Sequence, residues 1–486
     1  MSVFYRRVHL HRPFTQNFIV GCILFCLPGI YVALTGLGAG GGHPSSASVA
    51  NKTNALLYGL LVLVSLFGGP MLNILRPKAS LVIGALGYPL YVGSLWYYDH
   101  RADGAAASAA VFPLFAGAVL GITAAFLWTT ASYVQFSYAE EKDKGLYISI
   151  QWALKSLGAI IGGSISLAIS INQLELPGVS EPVYVAFIVI HLSAIFIALF
   201  FIVHPRDVVR QDGTHIAVFD GNKAAVWPEI KATVAVLLDA RYMMLAPAQV
   251  VCEMAFGLLS SVNLENSRAP PVARCFNLRT RSVNNFMFQV MQALTSGVMV
   301  LILDSRHVKS RRRRALVGTS LMGTIAVAAS AGLIAWLLVN KADALEAPAV
   351  ADWTDAQWPG LFVCYLLFGI IYAGYQMCTE YTLSATTNNP QVLARVSGMF
   401  KCYSAIGTML SFLLPGQGVS FLGQIVTQLV LYVVGFVGLV WVIVFHIKDS
   451  NYFAEEAVIA PIAVTELNKG TRARITDVNL MRLRES

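Results

Sequence analysis

Charged residues are scarce in this sequence. Aspartate, glutamate, lysine and arginine make up 12% of the 486 residues, whereas a soluble domain carries about 25%. Apolar residues make up 56% of the chain, and its mean hydropathy is +0.63. This composition excludes a soluble globular protein and predicts a chain that lies largely within a lipid bilayer.

The residue patterns of disulfide frameworks, metal centres and enzyme active sites are also missing. The seven cysteines have neither a disulfide-framework spacing nor a metal-ligand spacing. The sequence has no recognisable nucleophile–base set and no phosphate-binding loop. We therefore expect no cofactor, no metal site and no enzymatic activity.

Uninterrupted apolar stretches predict twelve membrane-spanning helices, each roughly 20 to 25 residues long. The first six lie near residues 15–38, 54–75, 79–98, 109–138, 145–172 and 182–203. The second six lie near residues 241–263, 283–304, 315–339, 359–387, 393–415 and 420–447. The chain then divides into a cytosolic N-terminus, a six-helix bundle, a linker with an interfacial helix, a second bundle and a cytosolic tail, with bounds 1–14, 15–203, 204–240, 241–447 and 448–486. We expect the tail to be mobile.

An internal repeat relates the two bundles. Shifting the chain by 248 positions places residues 121–134 (GITAAFLWTTASYV) over residues 369–382 (GIIYAGYQMCTEYT), which pairs span four with span ten. A further one-residue slip places Gly158 over Gly407 in the next helix. Six spans, a polar linker and six more spans resemble the two-half arrangement of the major facilitator superfamily. The predicted fold is an all-α membrane protein of two six-helix pseudo-repeats.

The distribution of positive charge predicts the topology. The net charge is +8, and 25 of the 34 lysines and arginines lie in or beside the loops on the side of the two termini. The positive-inside rule places both termini in the cytosol. The basic excess therefore reflects topology and lipid contact, and no nucleic-acid partner is expected. On the opposite side, Asn51-Lys52-Thr53 matches the glycosylation acceptor pattern, in a predicted outer loop.

Ionisable residues inside the spans are candidates for a substrate or ion pathway, because a charge in hydrocarbon is costly unless it is paired or hydrated. Glu380 in span ten and Lys401 in span eleven lie at equal depth on antiparallel neighbours, so they can pair. Lys155 in span five lies at a similar depth in the first half. These three residues form either a cleft cluster between the halves or a structural pair with Lys155 snorkelling to the surface.

Glu253 in span seven is the deepest isolated acid in the sequence, six residues after Pro247. It is the best single candidate for a proton or cation site, although a hydrogen bond to a neighbouring helix also accounts for it. Buried His191 in span six is more typical of polar packing than of a proton relay.

Polar and aromatic residues on the repeated spans are further candidates. Trp128 and Tyr133 in span four, with Gln376 and Tyr381 in span ten, can line a pathway between the halves. Tryptophan and tyrosine also anchor helices at membrane interfaces, so the pathway and anchoring interpretations both stand.

Two motifs carry a resemblance to a known family. Residues 13–42 (PFTQNFIVGCILFCLPGIYVALTGLGAGGG) join an apolar span, broken at Pro28-Gly29, to a glycine-rich exit. Residues 276–285 (FNLRTRSVNN) enter span eight with two arginines on the predicted outer side. Both resemble the "uncoordinated ninety-three" ion-channel-regulatory family of the major facilitator superfamily, especially its fungal members. Residues 265–274 depart from the family pattern and resemble an insertion.

The resemblance also places gating loops. The loop after span two is similar to a degenerate form of the superfamily's inner gating motif, in which Asn73 replaces the usual acid and Arg76 and Lys78 supply the charge. Asp304 and Arg306 form the fuller version in the second half. Loss of the first acid argues against standard proton-coupled gating.

Two functions follow from the resemblance and the buried charges. The preferred function is a secondary transporter that moves an unknown small solute or ion by alternating access, in a plasma membrane or an endomembrane. The alternative is a non-transporting regulator or trafficking partner of a channel or receptor, which is the association of the family's animal members. The buried charges favour transport, whereas the degenerate gating loop favours a membrane-protein partner.

Overall fold

The structure is a computed structural model, and it describes residues 9–32, 47–101, 109–170, 181–218, 226–264, 276–341, 352–455 and 457–468. Within these ranges nearly all secondary structure is α-helical, and an isolated bridge joins Val209 to His215. In hydrocarbon a helix satisfies its own backbone hydrogen bonds, which is why apolar sequence of this length folds in this way.

The first half contains helices α1 to α6. They are α1 (Pro13–Leu24, continued by a π-helical turn Phe25–Gly29), α2 (Ala47–Leu66), α3 (Gly68–Arg101), α4 (Val111–Ser137), α5 (Lys144–Ser170) and α6 (Glu181–Phe201). A short linker helix, α7 (Val226–Leu237), follows.

The second half contains helices α8 to α15. The seventh predicted span is broken into α8 (Ala240–Met243), α9 (Ala246–Val251) and α10 (Met254–Leu264). The remaining helices are α11 (Leu278–Leu303), α12 (Arg311–Val339), α13 (Trp358–Ala385), α14 (Pro390–Gly416) and α15 (Phe421–Phe445). Each half packs largely around its own hydrophobic core.

Every predicted span overlaps a helical segment of the structure. Nine helices of the described ranges are long and apolar enough to cross a membrane, and shorter apolar helices cover Lys52–Leu66 and Ala246–Ser260. The eleventh predicted span coincides with α14, whose 27 residues include Arg395 and Lys401. The chain is therefore a multi-pass integral membrane protein, while the exact count of twelve crossings stays a prediction.

The outward surfaces of both halves are apolar. Large side chains such as Leu63, Phe115, Phe196, Leu301 and Val437 are each more than half exposed. Contiguous apolar surface of this kind is rare on a soluble monomer, and lipid tails cover it in a bilayer.

Three local features differ from the sequence expectations. The predicted loop after span two is a sharp kink at Arg76, with φ of 65° and ψ of 163°, inside α3. Pro28 has no N–H to donate, and it lies in the π-helical turn of α1, which accommodates it. The helix therefore continues to Val32 instead of ending at Pro28-Gly29. Asn51 lies within α2 instead of in a loop, because the helix begins at Ala47; its use as a glycan acceptor stays a prediction. The glycine-rich exit 33–42 and the insertion 265–274 lie outside the described residues.

The beginning of the tail is ordered, contrary to the expected mobility. Asn451 donates hydrogen bonds from its backbone N–H to Glu141 (2.7 Å) and from its side chain to the Ala385 carbonyl (3.0 Å). Arg210 of the linker donates to the Ile459 carbonyl (2.9 Å). Specific bonds to both halves therefore hold this segment against one end of the bundle. The described residues at that end are 138–144, 204–218, 226–239, 304–311, 386–390, 446–455 and 457–462. We name this end the tail-side face; topology predicts that it is cytosolic.

The glycines of the sequence repeat make equivalent contacts in the two halves. A Cβ added to Gly158 of α5 meets the Phe25 carbonyl oxygen of the first span at 2.3 Å, and one added to Gly407 of α14 meets the Val250 carbonyl oxygen of the seventh span at 1.8 Å. Both positions thus let the fifth helix of a half approach the first helix of the same half backbone to backbone. The structural equivalence supports a true duplication.

We predict that Gly407→Ala lowers the melting temperature of the detergent-solubilised protein, because the new methyl group overlaps a backbone oxygen and overpacking costs about 1–3 kcal/mol. Gly297→Ala in α11 is the matched control, since no atom lies within 4 Å of its added Cβ. Alanine there improves helix propensity by about 1 kcal/mol. Equal effects of the two substitutions on the melting temperature would contradict the close approach.

Candidate functional site

A cavity lies between the two halves, with about 40 Å³ open to the centre of a water-sized sphere. The first half contributes residues from α1 to α5, and the second half contributes residues from the broken seventh span, α13 and α14. The lining includes the aromatic, charged and hydroxyl side chains of Tyr58, Trp128, Lys155, Glu253, Phe256, Tyr372, Lys401 and Ser404. Aromatic walls and a few charged groups are typical of ligand sites between domains.

Lys401 is the centre of a buried charge cluster. Its side chain is 4% exposed, and its Nζ lies 3.4 Å from Glu253 Oε1 and 3.9 Å from Glu380 Oε1. The same Nζ lies 4.5 Å from the ring centroid of Trp128, a distance that allows a cation–π interaction across the halves. The predicted contact between Glu380 and Lys401 is present in this geometry.

Glu253 is not the isolated acid that the sequence suggests. It lies at the junction of α9 and α10, where the helix is interrupted, and Lys401 reaches it. The depth argument compared consecutive helices only, and Glu253 lies 148 positions from Lys401 in the chain, so it did not predict this partner. Glu380 is 2% exposed and accepts a hydrogen bond from Gln376 one helical turn earlier (3.3 Å).

Lys155 is buried and does not snorkel to the surface, since the residue is 4% exposed. Its Nζ lies 3.3 Å from the centroid of the Trp152 ring and 5.3 Å from that of Tyr372, and it donates to Gln292 Oε1 at 3.5 Å. Among the ion pairs of the described residues, none includes Lys155. A desolvated cation–π contact contributes about 2 kcal/mol, whereas burying an ion costs several kcal/mol. Lys155 is therefore incompletely compensated.

A smaller pocket adjoins this cavity and brings together repeat-equivalent residues. Ser132 and Glu380, which the sequence repeat pairs, both line it, as do Trp128 and Gln376. Tyr133 instead lines a pocket beside Arg76 at the tail-side face, and fully buried Tyr381 lines neither central pocket. His191 packs against the Tyr88 ring within the first half. The structure thus gathers only part of the predicted pathway set.

Sequence reasoning missed the tyrosines of the cavity. Tyr58 and Tyr372 line it, and Tyr372 packs edge-on against Trp152. Tyrosine is usually found at membrane interfaces, so a tyrosine in the middle of a span is itself a signal of an interior polar site.

The tail-side face is closed by bonds between the halves. Asp304, at the end of α11, accepts hydrogen bonds from the backbone N–H groups of Gly145 (3.0 Å) and Leu146 (2.5 Å) at the N-terminus of α5. A carboxylate at a helix N-terminus is favourable because the first N–H groups have no partner within the helix. Burial raises the pKa of Asp304 to about 6, opposed by these two hydrogen bonds and by Arg314.

The equivalent position in the first half uses an acid from the linker. Asn73 donates to Glu229 Oε2 (3.3 Å), and Arg395 at the start of α14 forms a bidentate pair with the same carboxylate, at 2.9 and 3.0 Å from Nη2. Glu229 belongs to α7, so the linker helix supplies the acid that the gating motif lacks. No spacing rule predicts this contact, and the available signal in the sequence was an acid within an amphipathic helix.

The remaining gating residues have different surroundings. Arg76 donates to His204 of the linker, whereas Lys78 and Arg306 are exposed to the surroundings. Lys144 donates to the Ser384 carbonyl and so adds another bond between the halves. Glu141 of the first half adds a further link, because it forms an ion pair with Arg311 (3.1 Å) and accepts a hydrogen bond from Asn388 (2.6 Å). Asp304 and the pair of Asn73 with Glu229 are therefore two of several contacts that close this face.

The signature entering α11 is bound on the opposite face. Asp352 accepts hydrogen bonds from Asn277 (2.8 Å) and Thr280 (3.0 Å), and Arg279 forms a bidentate pair with it. The guanidinium of Arg279 keeps the pKa of Asp352 well below its usual range. An outward arginine that seemed to oppose the topology rule is therefore held by an acid of the loop before α13.

The two-half helical arrangement around a charged central cavity is the fold of the major facilitator superfamily. A solved outward-facing structure of the transporter FucP matches it with a TM-score of 0.57 at 13% identity, covering 89% of this chain and 99% of that one. At this identity the likeness shows the fold alone.

Sequence comparisons give the family. The model of the family described as "Ion channel regulatory protein UNC-93" matches residues 50–263. An uncharacterized membrane protein of Schizosaccharomyces pombe is 36% identical over 84% of this chain and 80% of its own length. An UNC93-like protein of the same yeast is 30% identical over 85% of this chain and 80% of its own length. The chain belongs to the UNC-93-like family.

We predict that Lys401→Met destabilises the protein more than Glu380→Gln does. The first change leaves two buried carboxylates without their cation, at a cost of about 3–5 kcal/mol, whereas the second leaves Lys401 paired with Glu253. Combining the two changes should recover part of the loss in melting temperature, with exposed Lys309→Met as the control. Strictly additive losses would show that residues 380 and 401 do not interact.

Asp304 should give the protein a specific pH dependence. Its pKa of about 6 in the folded state lies above its ordinary value of 3.8, so protonation favours the folded form. The resulting stability is complete below about pH 4 and is lost as pH rises through about 6. Between pH 4 and pH 7, the melting temperature of the wild type should therefore fall relative to that of Asp304→Asn. Parallel profiles would contradict the shift.

Proposed function

We propose that this protein is a secondary transporter that moves a small solute or ion by alternating access. The observation that carries the proposal is the cavity between the halves, in which Trp128 and Lys155 of the first half face Glu253 and Lys401 of the second. Transporters of this fold bind their cargo near the bilayer midplane at the interface of the two repeats. A buried charge cluster is costly to keep, which favours a function over a purely structural role.

The closure of the tail-side face supports the same proposal. Asp304 of the second half accepts hydrogen bonds at the N-terminus of α5 in the first half. Glu229 of the linker accepts hydrogen bonds from Arg395 of the second half. Such bonds break and re-form at modest cost, unlike interdigitated apolar packing. Rocking of the halves would exchange this closed arrangement for one that opens the cavity to the tail side.

The second candidate is a non-transporting regulator or escort of a membrane-protein partner. Two observations favour it: the description of the family as ion-channel regulatory, and Asn73 in place of the usual acid. The contact of Glu229 with Arg395 weakens the second of these observations. The linker helix supplies a carboxylate beside Asn73, where the usual acid of the first half is missing, and this favours transport.

Orientation and role are part of the proposal. Both termini face the cytosol, in a plasma membrane or an endomembrane, and the bilayer is the surrounding partner. We propose no catalytic reaction, since the site offers paired charges and aromatic walls for binding.

The test is a solute screen in proteoliposomes with and without a proton gradient. Glu253→Gln should keep the fold, because Lys401 retains Glu380 at 3.9 Å, yet should abolish gradient-driven movement of the solute. Exposed Glu466→Gln is the matched control. Unchanged rate and pH dependence in Glu253→Gln would remove Glu253 from the mechanism. Absence of both net flux and counterflow for every solute would favour the regulator.

A further inference from the structure

Lys155 and Lys401 differ in how the protein compensates their charge. Lys401 lies within 4 Å of two carboxylates. Lys155 has a ring face and one distant amide oxygen, Gln292 Oε1 at 3.5 Å, as its neighbours. An ammonium has three N–H donors, so Lys155 keeps hydrogen-bonding capacity for a further acceptor. The charges of Lys155, Lys401, Glu253 and Glu380 sum to zero. Both carboxylates lie beside Lys401, however, so Lys155 forms the positive end of the cavity.

The aromatic rings of the cavity argue against a cationic ligand. Aromatic cages bind cations through ring faces. Two rings that line this cavity already have an ammonium nearby, since Lys155 Nζ lies 5.3 Å from the Tyr372 ring centroid and Lys401 Nζ lies 4.5 Å from that of Trp128. A bound amine would therefore meet two ammonium groups at the rings that attract it. An acceptor group avoids this repulsion and gains a charge-assisted hydrogen bond from Lys155.

The other side chains of the cavity indicate the shape and polarity of the rest of the ligand. Tyr58, Phe256 and Tyr372 line the same cavity as Lys155, and the Phe256 and Tyr372 ring centroids are 6.3 Å apart. Planar apolar groups pack well against such rings, because aromatic pairs favour tilted and edge-to-face contacts. Inorganic anions such as chloride would leave these walls without contacts.

We infer that the cavity binds a small organic monoanion, with its carboxylate on Lys155 and its planar apolar body against Tyr58, Phe256 and Tyr372. This inference rests on the proposed transport function and names its substrate class. Glu253 and Glu380 hold Lys401 and keep it from competing for the same carboxylate.

The test uses the full-length chain in lipid nanodiscs and four probes: benzoate, neutral benzamide, cationic benzylamine and chloride. Calorimetry at constant pH and ionic strength should give benzoate an affinity at least about tenfold above that of benzamide, with benzylamine and chloride weaker still. This comparison uses the wild type alone, so it holds even if a variant fails to fold. Equal affinities for benzoate and benzamide, or preference for benzylamine or chloride, would overturn the inference.

Variants then assign the effect to Lys155. Lys155→Gln should lower benzoate affinity at least about tenfold while leaving benzamide unchanged, and Lys155→Arg should keep benzoate binding within about threefold. Lys142→Gln, whose side chain is 71% exposed on the tail-side face, is the matched control. Full benzoate affinity in folded Lys155→Gln would refute the assignment.

Flux measurements separate this inference from the proposed function. Labelled benzoate should enter wild-type proteoliposomes faster than protein-free liposomes, and should enter Lys155→Gln proteoliposomes only at the protein-free rate, because benzoic acid itself leaks through a bilayer. Binding that depends on Lys155 without any flux above that rate would uphold the ligand class and count against transport. Carrier-mediated flux of benzamide or benzylamine in the absence of benzoate flux would uphold transport and overturn the ligand class.

Discussion

The pairing of Lys401 with Glu253 and Glu380 is the interaction on which the centre of the molecule depends. No water is available in hydrocarbon to solvate a charge, so each buried ion requires a partner from the same chain. The three residues come from α14, the broken seventh span and α13, and their contact fixes how these helices meet. Trp128 extends the cluster to the first half through its ring face. Any movement of the halves must therefore carry this cluster as a unit or exchange its partners.

The linker and the tail both bond to the bundle at the tail-side face. The linker does so where Asn73 replaces the usual acid of the first half. In the second half, Asp304 reaches α5 directly, whereas the first half depends on Glu229 of α7 to reach Arg395. Trp227 in the linker helix and Leu238 just after it are exposed apolar side chains. The interfacial position of this helix stays a prediction. The tail adds Glu455, which accepts hydrogen bonds from Thr387 and from the Asn388 backbone. In the proposed transport cycle, opening of the tail-side face would displace both the linker helix and the tail.

The sequence predicted those features that depend on local pattern. Long apolar stretches located the helices, and the repeat located Gly158 and Gly407, because backbone contact between helices demands glycine in both halves. Depth along straight helices was sufficient to bring Glu380 beside Lys401. The same reasoning failed for Glu253, since its partner Lys401 lies on a helix that is not its neighbour in sequence, 148 positions away. It also failed for Glu229, because a contact between residues 166 positions apart has no signal in the spacing of either segment.

The duplication shows how the two halves came to carry different charges around the cavity. In the repeat alignment, Glu380 corresponds to Ser132 and Lys401 corresponds to Trp152. The second half thus carries an acid and a base at positions where the first half carries a hydroxyl and a ring. Lys155, which corresponds to Ser404, lies against that ring instead of against an acid. Two similar bundles are suited to the proposed rocking motion. Differences between the two copies leave Lys401 paired with carboxylates and Lys155 without one. The asymmetry gives a bound anion one orientation, with its charged end toward the first half.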